Sequence, residues 1–107
     1  MEVQPITPGE LRQRLDAGED LVLLDVREPE EVALCRIEGS LMIPMGELSV
    51  RHVELDPDRP TVCVCHHGVR SAHVAAALAR LGFEQLYNLT GGVDRWALEV
   101  DPAMRRY

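Results

Sequence analysis

A chain of 107 residues suits one small domain, here 1–107, and a chain of that size folds around its own core without disulfide staples. Its 18 acidic residues outnumber 11 basic ones, all of them arginine, and the net charge of −7 argues against nucleic acid or an anionic membrane surface as partner. Apolar runs stay far short of the roughly 20 residues of a membrane span. Met1-Glu2-Val3-Gln4-Pro5 lacks the basic and apolar regions of a secretory leader, and three cysteines are an odd number, so the expected setting is reducing and cytoplasmic.

The first predicted element is a helix. Thr7 is its N-cap, Pro8 takes the first helical position, Glu10 closes a capping box, and Ile6 and Leu11 are spaced as a hydrophobic staple. Leu11 and Leu15 share a face and Gly18 ends the helix. Leu21-Val22-Leu23-Leu24-Asp25-Val26 is apolar on both faces, as a strand of a parallel sheet is, with Asp25 near its carboxyl end. Pro29, Glu30 and Glu31 open a short helical turn to about Leu34, with the run Glu28 to Glu31 read as a solvated helix start. Leu41-Met42-Ile43 is a brief strand stopped by Pro44, and Gly46 to Glu54 reads as a further helix.

A short polar connection, Asp56 to Pro60, leads into a strand at Thr61-Val62-Cys63-Val64. From Ser71, the residues Val74, Ala75, Leu78 and Leu81 keep helical spacing until Gly82. Gln85 to Asn88 is the last predicted strand, and Gly91-Gly92 turns into a helix around Trp96. Strands alternating with helices define an α/β domain with a mostly parallel central sheet flanked by helices on both faces. In such sheets the crevice above the strand carboxyl ends, here carrying Asp25 and Cys65, is the expected pocket.

Between that Cys63 strand and the alanine-rich helix runs Cys65-His66-His67-Gly68-Val69-Arg70-Ser71, read as a nucleophile loop. Backbone N–H groups and the positive end of the helix dipole converge there on the sulfur of Cys65 and favour its thiolate. The amides of His66, His67, Gly68, Val69 and Arg70 form an anion cradle, and Gly68 lets the chain turn without a Cβ clash. Arg70 either pins the loop or meets the anionic end of a substrate, and Ser71 caps the helix or donates to the loop. His66 and His67 are exposed loop side chains or substrate contacts. Cys63 is a small core residue, and His52 and His73 belong to a helix surface or the core. Asp25 and Arg27 are read as a structural ion pair supporting the loop. A metal site is not expected, because four ligand types crowded into Cys63 to His67 cannot readily surround one ion.

These pieces together resemble the single-domain rhodanese family of sulfurtransferases over nearly the whole chain. The resemblance rests on Leu24-Asp25-Val26-Arg27-Glu28-Pro29, Gly39-Ser40 through Ile43-Pro44, the Cys65 to Ser71 loop, Leu81-Gly82-Phe83, and Tyr87-Asn88-Leu89 with Gly91-Gly92 and Trp96. It implies a Cys65 persulfide that takes a sulfane sulfur from a small donor such as thiosulfate and passes it to a thiol or cyanide. It implies no cofactor, and it allows a sulfur-relay protein as partner. Cys35-Arg36 departs from the Gly-His the family usually shows before the isoleucine, which leaves that histidine's role unfilled. The rival readings are a binding module on the same fold and a cysteine phosphatase or arsenate reductase. Against the second, Cys65 and Arg70 enclose four residues where phosphatase loops resemble Cys-x5-Arg, and the shorter ring suits a sulfur atom better than a phosphoryl group.

Overall fold

The computed structural model describes residues 3–107; Met1 and Glu2, the start of the segment read for a leader, lie outside the described residues. Five strands form one parallel sheet: β1 (Val3–Ile6), β2 (Val22–Asp25), β3 (Leu41–Met42), β4 (Thr61–Val64) and β5 (Leu86–Leu89). The helices are α1 (Pro8–Asp16), α2 (Pro29–Leu34), α3 (Leu48–Arg51), α4 (Val69–Arg80) and α5 (Gly92–Glu99). The strand order β1-β5-β4-β2-β3 puts β4, which carries the nucleophile loop, at the centre.

Side-chain alternation sorts the core into two layers. Leu24, Cys63 and Leu86 pack with Val74, Ala75 and Leu78 of α4, while Leu23, Val62 and Leu89 pack with Leu11 of α1 and Val93 and Trp96 of α5. The sheet is therefore covered on both faces, as its continuous apolar strands require. Among the described residues no helix is long and apolar enough to cross a membrane.

The capping box of α1 is present in both directions: Glu10 N donates to Thr7 Oγ1 at 3.2 Å and Thr7 N donates to Glu10 Oε1 at 2.9 Å. Two elements differ from expectation. β1 is absent from the predicted strands because only Ile6 of its four residues is buried, so no alternation marks it, and Pro5 argues against a strand. At the edge of the sheet Pro5 is tolerated, paired in register with Asn88. The helix expected over Gly46 to Glu54 is a 3-10 turn (Met45–Glu47), the four-residue α3 and a second 3-10 turn (His52–Glu54). Leu48 is buried there, whereas Val50 and Val53 are exposed, so the segment has no continuous apolar stripe to hold a longer helix against the sheet.

Candidate active site

Cys65 follows β4 directly and is 2% exposed. The chain then turns within three residues. Gly68 adopts φ +101° and serves as N-cap, so α4 begins at Val69, two residues before the predicted start, and Ser71 lies inside its first turn rather than capping it. The left-handed Gly68 completes the reversal early, and α4 inherits the two extra residues. The start of α5 braces the loop from the other side: Val93 N donates to Cys65 O at 2.9 Å and Asp94 N to His66 O at 3.2 Å. Gly92, at φ +60°, sits so close that a Cβ there would strike the carbonyl oxygens of Cys65 and His66.

Two amides donate to the sulfur, Gly68 N at 3.0 Å and Ser71 N at 3.4 Å, and the Ser71 hydroxyl oxygen lies 3.3 Å from it. Burial alone would raise the Cys65 thiol; the Ser71 hydroxyl and the amides of Ser71, Gly68 and His67 outweigh it and hold the thiol below its ordinary value. Cys63, two residues earlier, is fully buried in the core, and that burial pushes its thiol up to about 12. Cys35 is half-buried, its sulfur 3.8 Å from Arg27 Nη1. Iodoacetamide at pH 6 is therefore expected to alkylate Cys65 well ahead of Cys35 and Cys63, since an unperturbed thiol is only about 0.3% ionised there. Time-resolved peptide mapping checks this, and equal rates at all three positions would remove the acidified-thiol argument.

Around the loop stands a frame of paired charges. Arg27 is fully buried and forks onto Asp25, with Nη2 to Oδ2 at 2.7 Å and Nε to Oδ1 at 3.0 Å. Its remaining donors reach the carbonyl of Cys35 at 2.7 Å and the Tyr107 hydroxyl at 3.0 Å. Burial works against the Arg27 charge, but the bonds to Asp25 and Tyr107 hold it firmly protonated. Arg70 grips Glu31 with both ends of its fork, at 2.6 and 2.8 Å. That pairing, against a smaller effect of burial and with help from Tyr107, brings the Glu31 carboxyl down to about 2.

Arg70 was expected either to pin the loop or to meet an anionic substrate; its fork is occupied by Glu31. Glu31 itself corrects the reading of Glu28 to Glu31 as a solvated helix start, because its side chain is 20% exposed and reaches from α2 to α4. Asp25 and Arg27 are the buried pair that was expected. His66 is half-buried, its ring stacked on Tyr107 at 3.9 Å and tilted by 34° against that of His67 at 3.8 Å. Burial, then the neighbouring His67, keeps the His66 imidazole below its ordinary pKa. Its Nε2 is buried and, among the described residues, has no hydrogen-bond partner. Val69, the first residue of α4, is 66% exposed.

Sequence reasoning missed Asn88 and Tyr107. Asn88 Nδ2 donates to Gly68 O at 3.0 Å and its Oδ1 accepts from the Ser71 hydroxyl at 2.5 Å; a polar residue in the otherwise apolar end of β5 was the available signal. Tyr107 joins the two ion pairs, accepting from Arg27 and donating to Glu31 Oε2 at 2.7 Å, and burial first of all pushes its hydroxyl up to about 12. No local pattern announces a contact between residues so far apart in the chain. Among the described residues no three His, Cys, Asp or Glu side chains converge as a metal site. An apolar groove of about 480 Å³ between α3 and α4, lined by Met45, Leu48, His52, Val74 and Leu81, holds none of the predicted site residues and no cluster of perturbed groups.

A central-strand cysteine cradled by the first turn of the next helix, on a fully parallel five-stranded sheet, defines a cysteine-loop α/β domain. The chain belongs to the rhodanese-like domain family, whose model matches residues 7–99. It is 40% identical over 95% of its length to the "Probable adenylyltransferase/sulfurtransferase MoeZ" of Mycobacterium tuberculosis, of which it spans only 26%. It is 36% identical to the thiosulfate sulfurtransferase GlpE of Pseudomonas aeruginosa, over 87% of this chain and 83% of that one. The crystal structure of a rhodanese-related protein from Thermoplasma volcanium superposes with a TM-score of 0.81 at 32% identity, covering 91% of this chain and 93% of the other.

Proposed function

We propose that this chain is a sulfurtransferase that carries a sulfane sulfur on Cys65, from a small donor such as thiosulfate or a persulfide to a thiophilic acceptor. The observation that best supports the reading is the polar ring around the Cys65 sulfur, with Gly68 N donating at 3.0 Å, Ser71 N donating at 3.4 Å and Ser71 Oγ in contact at 3.3 Å, in a chain whose relatives carry the name sulfurtransferase.

In the first step the Cys65 thiolate attacks the outer sulfur of thiosulfate. The donor's S–S bond breaks, its electron pair leaves with sulfite, and Cys65–S–S⁻ remains. Val69 and Arg70 stand in the first turn of α4, where N–H groups lack intrahelical partners, so their amides are the donors for the terminal sulfur. In the second step a thiol, as its thiolate, or cyanide attacks that terminal sulfur, and Cys65 departs as the thiolate the cradle already stabilises. Arg70 acts through Glu31, holding the loop, and the Asp25–Arg27 pair buttresses it from below. The four residues between Cys65 and Arg70 close a ring suited to one sulfur atom, so aryl phosphates are poor substrates in this reading. The reaction needs no cofactor, and a reducing, cytoplasmic setting would keep all three thiols free. A sulfur-relay protein is an acceptor of the same chemistry.

Intact-mass analysis after incubation with thiosulfate tests this. The protein is expected to gain the mass of one sulfur atom, mapped to Cys65, and to lose it to cyanide with release of thiocyanate. An unmodified Cys65 after both thiosulfate and an organic persulfide, or ready cleavage of aryl phosphates, would overturn it.

A further inference from the structure

The hydroxyl of Ser71 has one proton and two claimants. Its Oγ lies 2.5 Å from Asn88 Oδ1 and 3.3 Å from Cys65 Sγ. The Asn88 amide is oriented from its other end: Nδ2 donates to the Gly68 carbonyl at 3.0 Å, which leaves Oδ1 as an acceptor facing Ser71. Ser71 therefore donates to Asn88 and turns a lone pair towards the sulfur. That arrangement suits a neutral thiol, whose S–H donates to Oγ. A thiolate needs the same hydroxyl turned round as a donor.

We propose that Asn88 is a positioning residue that competes with Cys65 for the Ser71 proton, so that the hydroxyl rotates from Asn88 to the sulfur each time the sulfur becomes anionic. When Cys65 ionises, its proton leaves to solvent, the Oγ–H bond to Asn88 opens, and an Oγ–H bond to sulfur forms; no proton passes between residues. Asn88 is in register with Cys63 across the β4–β5 pair, on the face of the sheet that α4 covers, so backbone geometry brings it beside the cradle. The other titratable or charged groups around this sulfur are Cys63 on β4, Arg70 on α4 with Glu31 of α2 matched to it, and His66 and His67 in the loop. All of them are retained in every variant below, so a change among the variants belongs to Ser71 and Asn88.

The inference rests on the reading of Cys65 as the reactive thiol, and alkylation tests it without needing sulfur transfer. The pH dependence of iodoacetamide alkylation at Cys65 is measured in the wild type, Asn88→Ala, Ser71→Ala and the double variant. Asn88→Ala is expected to speed alkylation at pH 6 by about three- to tenfold, because the released hydroxyl donates to sulfur, and to change nothing once residue 71 is alanine. Asn88→Asp, which keeps the acceptor and adds charge, is expected to slow it. If Asn88 merely held Gly68 in place, Asn88→Ala would shift the profile equally in both backgrounds. That result, or an Asn88→Ala profile that is unchanged or moved to higher pH, overturns the proposal. Coupling between 71 and 88 in a protein that forms no persulfide would instead leave it standing and bring down the sulfurtransferase reading.

Discussion

Cys65→Ser is expected to lower thiosulfate:cyanide sulfur transfer at least about a thousandfold, ~4 kcal/mol of transition-state stabilisation. The hydroxyl that replaces the thiol does not ionise near neutrality and forms no persulfide, so the donors at Gly68 N and Ser71 N face a neutral oxygen in place of an anionic sulfur. Cys35→Ser and Cys63→Ala should keep most of the activity, because Cys63 is a core side chain and Cys35 packs on the opposite layer beside Arg27. Alanine is the better probe at Cys63, where a serine hydroxyl would be buried in an apolar layer. Initial rates on preparations with matching far-UV spectra decide the matter, and comparable activity in Cys65→Ser would sink the nucleophile assignment.

Arg27→Met should produce the largest loss of stability. Asp25 and Arg27 are both fully buried, and the methionine leaves the Asp25 carboxylate without its fork and the Cys35 carbonyl and Tyr107 hydroxyl without a donor. Breaking a buried pair by removing one partner costs about 3–5 kcal/mol, because the remaining charge stays desolvated. At roughly 4–8 °C per kcal/mol for a domain of this size, the melting temperature should fall by about 12 °C or more. The double variant Asp25→Asn with Arg27→Met removes both charges and should recover part of that loss. Thermal melts of the two variants provide the check. A single variant melting within a degree or two of the wild type would show that the pair contributes little.

Much of this protein was legible in the residues themselves, and the reason is local. The capping box at Thr7 and Glu10, the β-branched run entering Cys65, and the apolar spacing of Val74, Ala75 and Leu78 are each determined by neighbours a few positions away. So is the cysteine loop, because a strand end, a glycine turn and a helix start are consecutive in the chain and their donors converge wherever that unit is placed. The boundary of α4 slipped by two residues because the conformation of Gly68, not the apolar pattern, decides where the turn closes.

Tertiary structure alone decided the rest. β1 exists because β5 supplies its hydrogen bonds, whatever its own four residues prefer. Glu31 reads as a solvated helix acid until α2 and α4 meet and Arg70 arrives 39 positions later in the chain. Tyr107, 76 positions from Glu31, enters the site only because the carboxyl-terminal segment returns across the loop. Asn88 is an ordinary strand residue until parallel pairing sets it opposite Cys63, with its amide between Gly68 and Ser71. The sequence by itself therefore determined the cysteine at the strand end and the glycine turn and helix start beside it, while the partners of Arg70, Arg27 and Ser71 were decided by packing, since an ion pair or hydrogen bond between distant segments has no local pattern to reveal it.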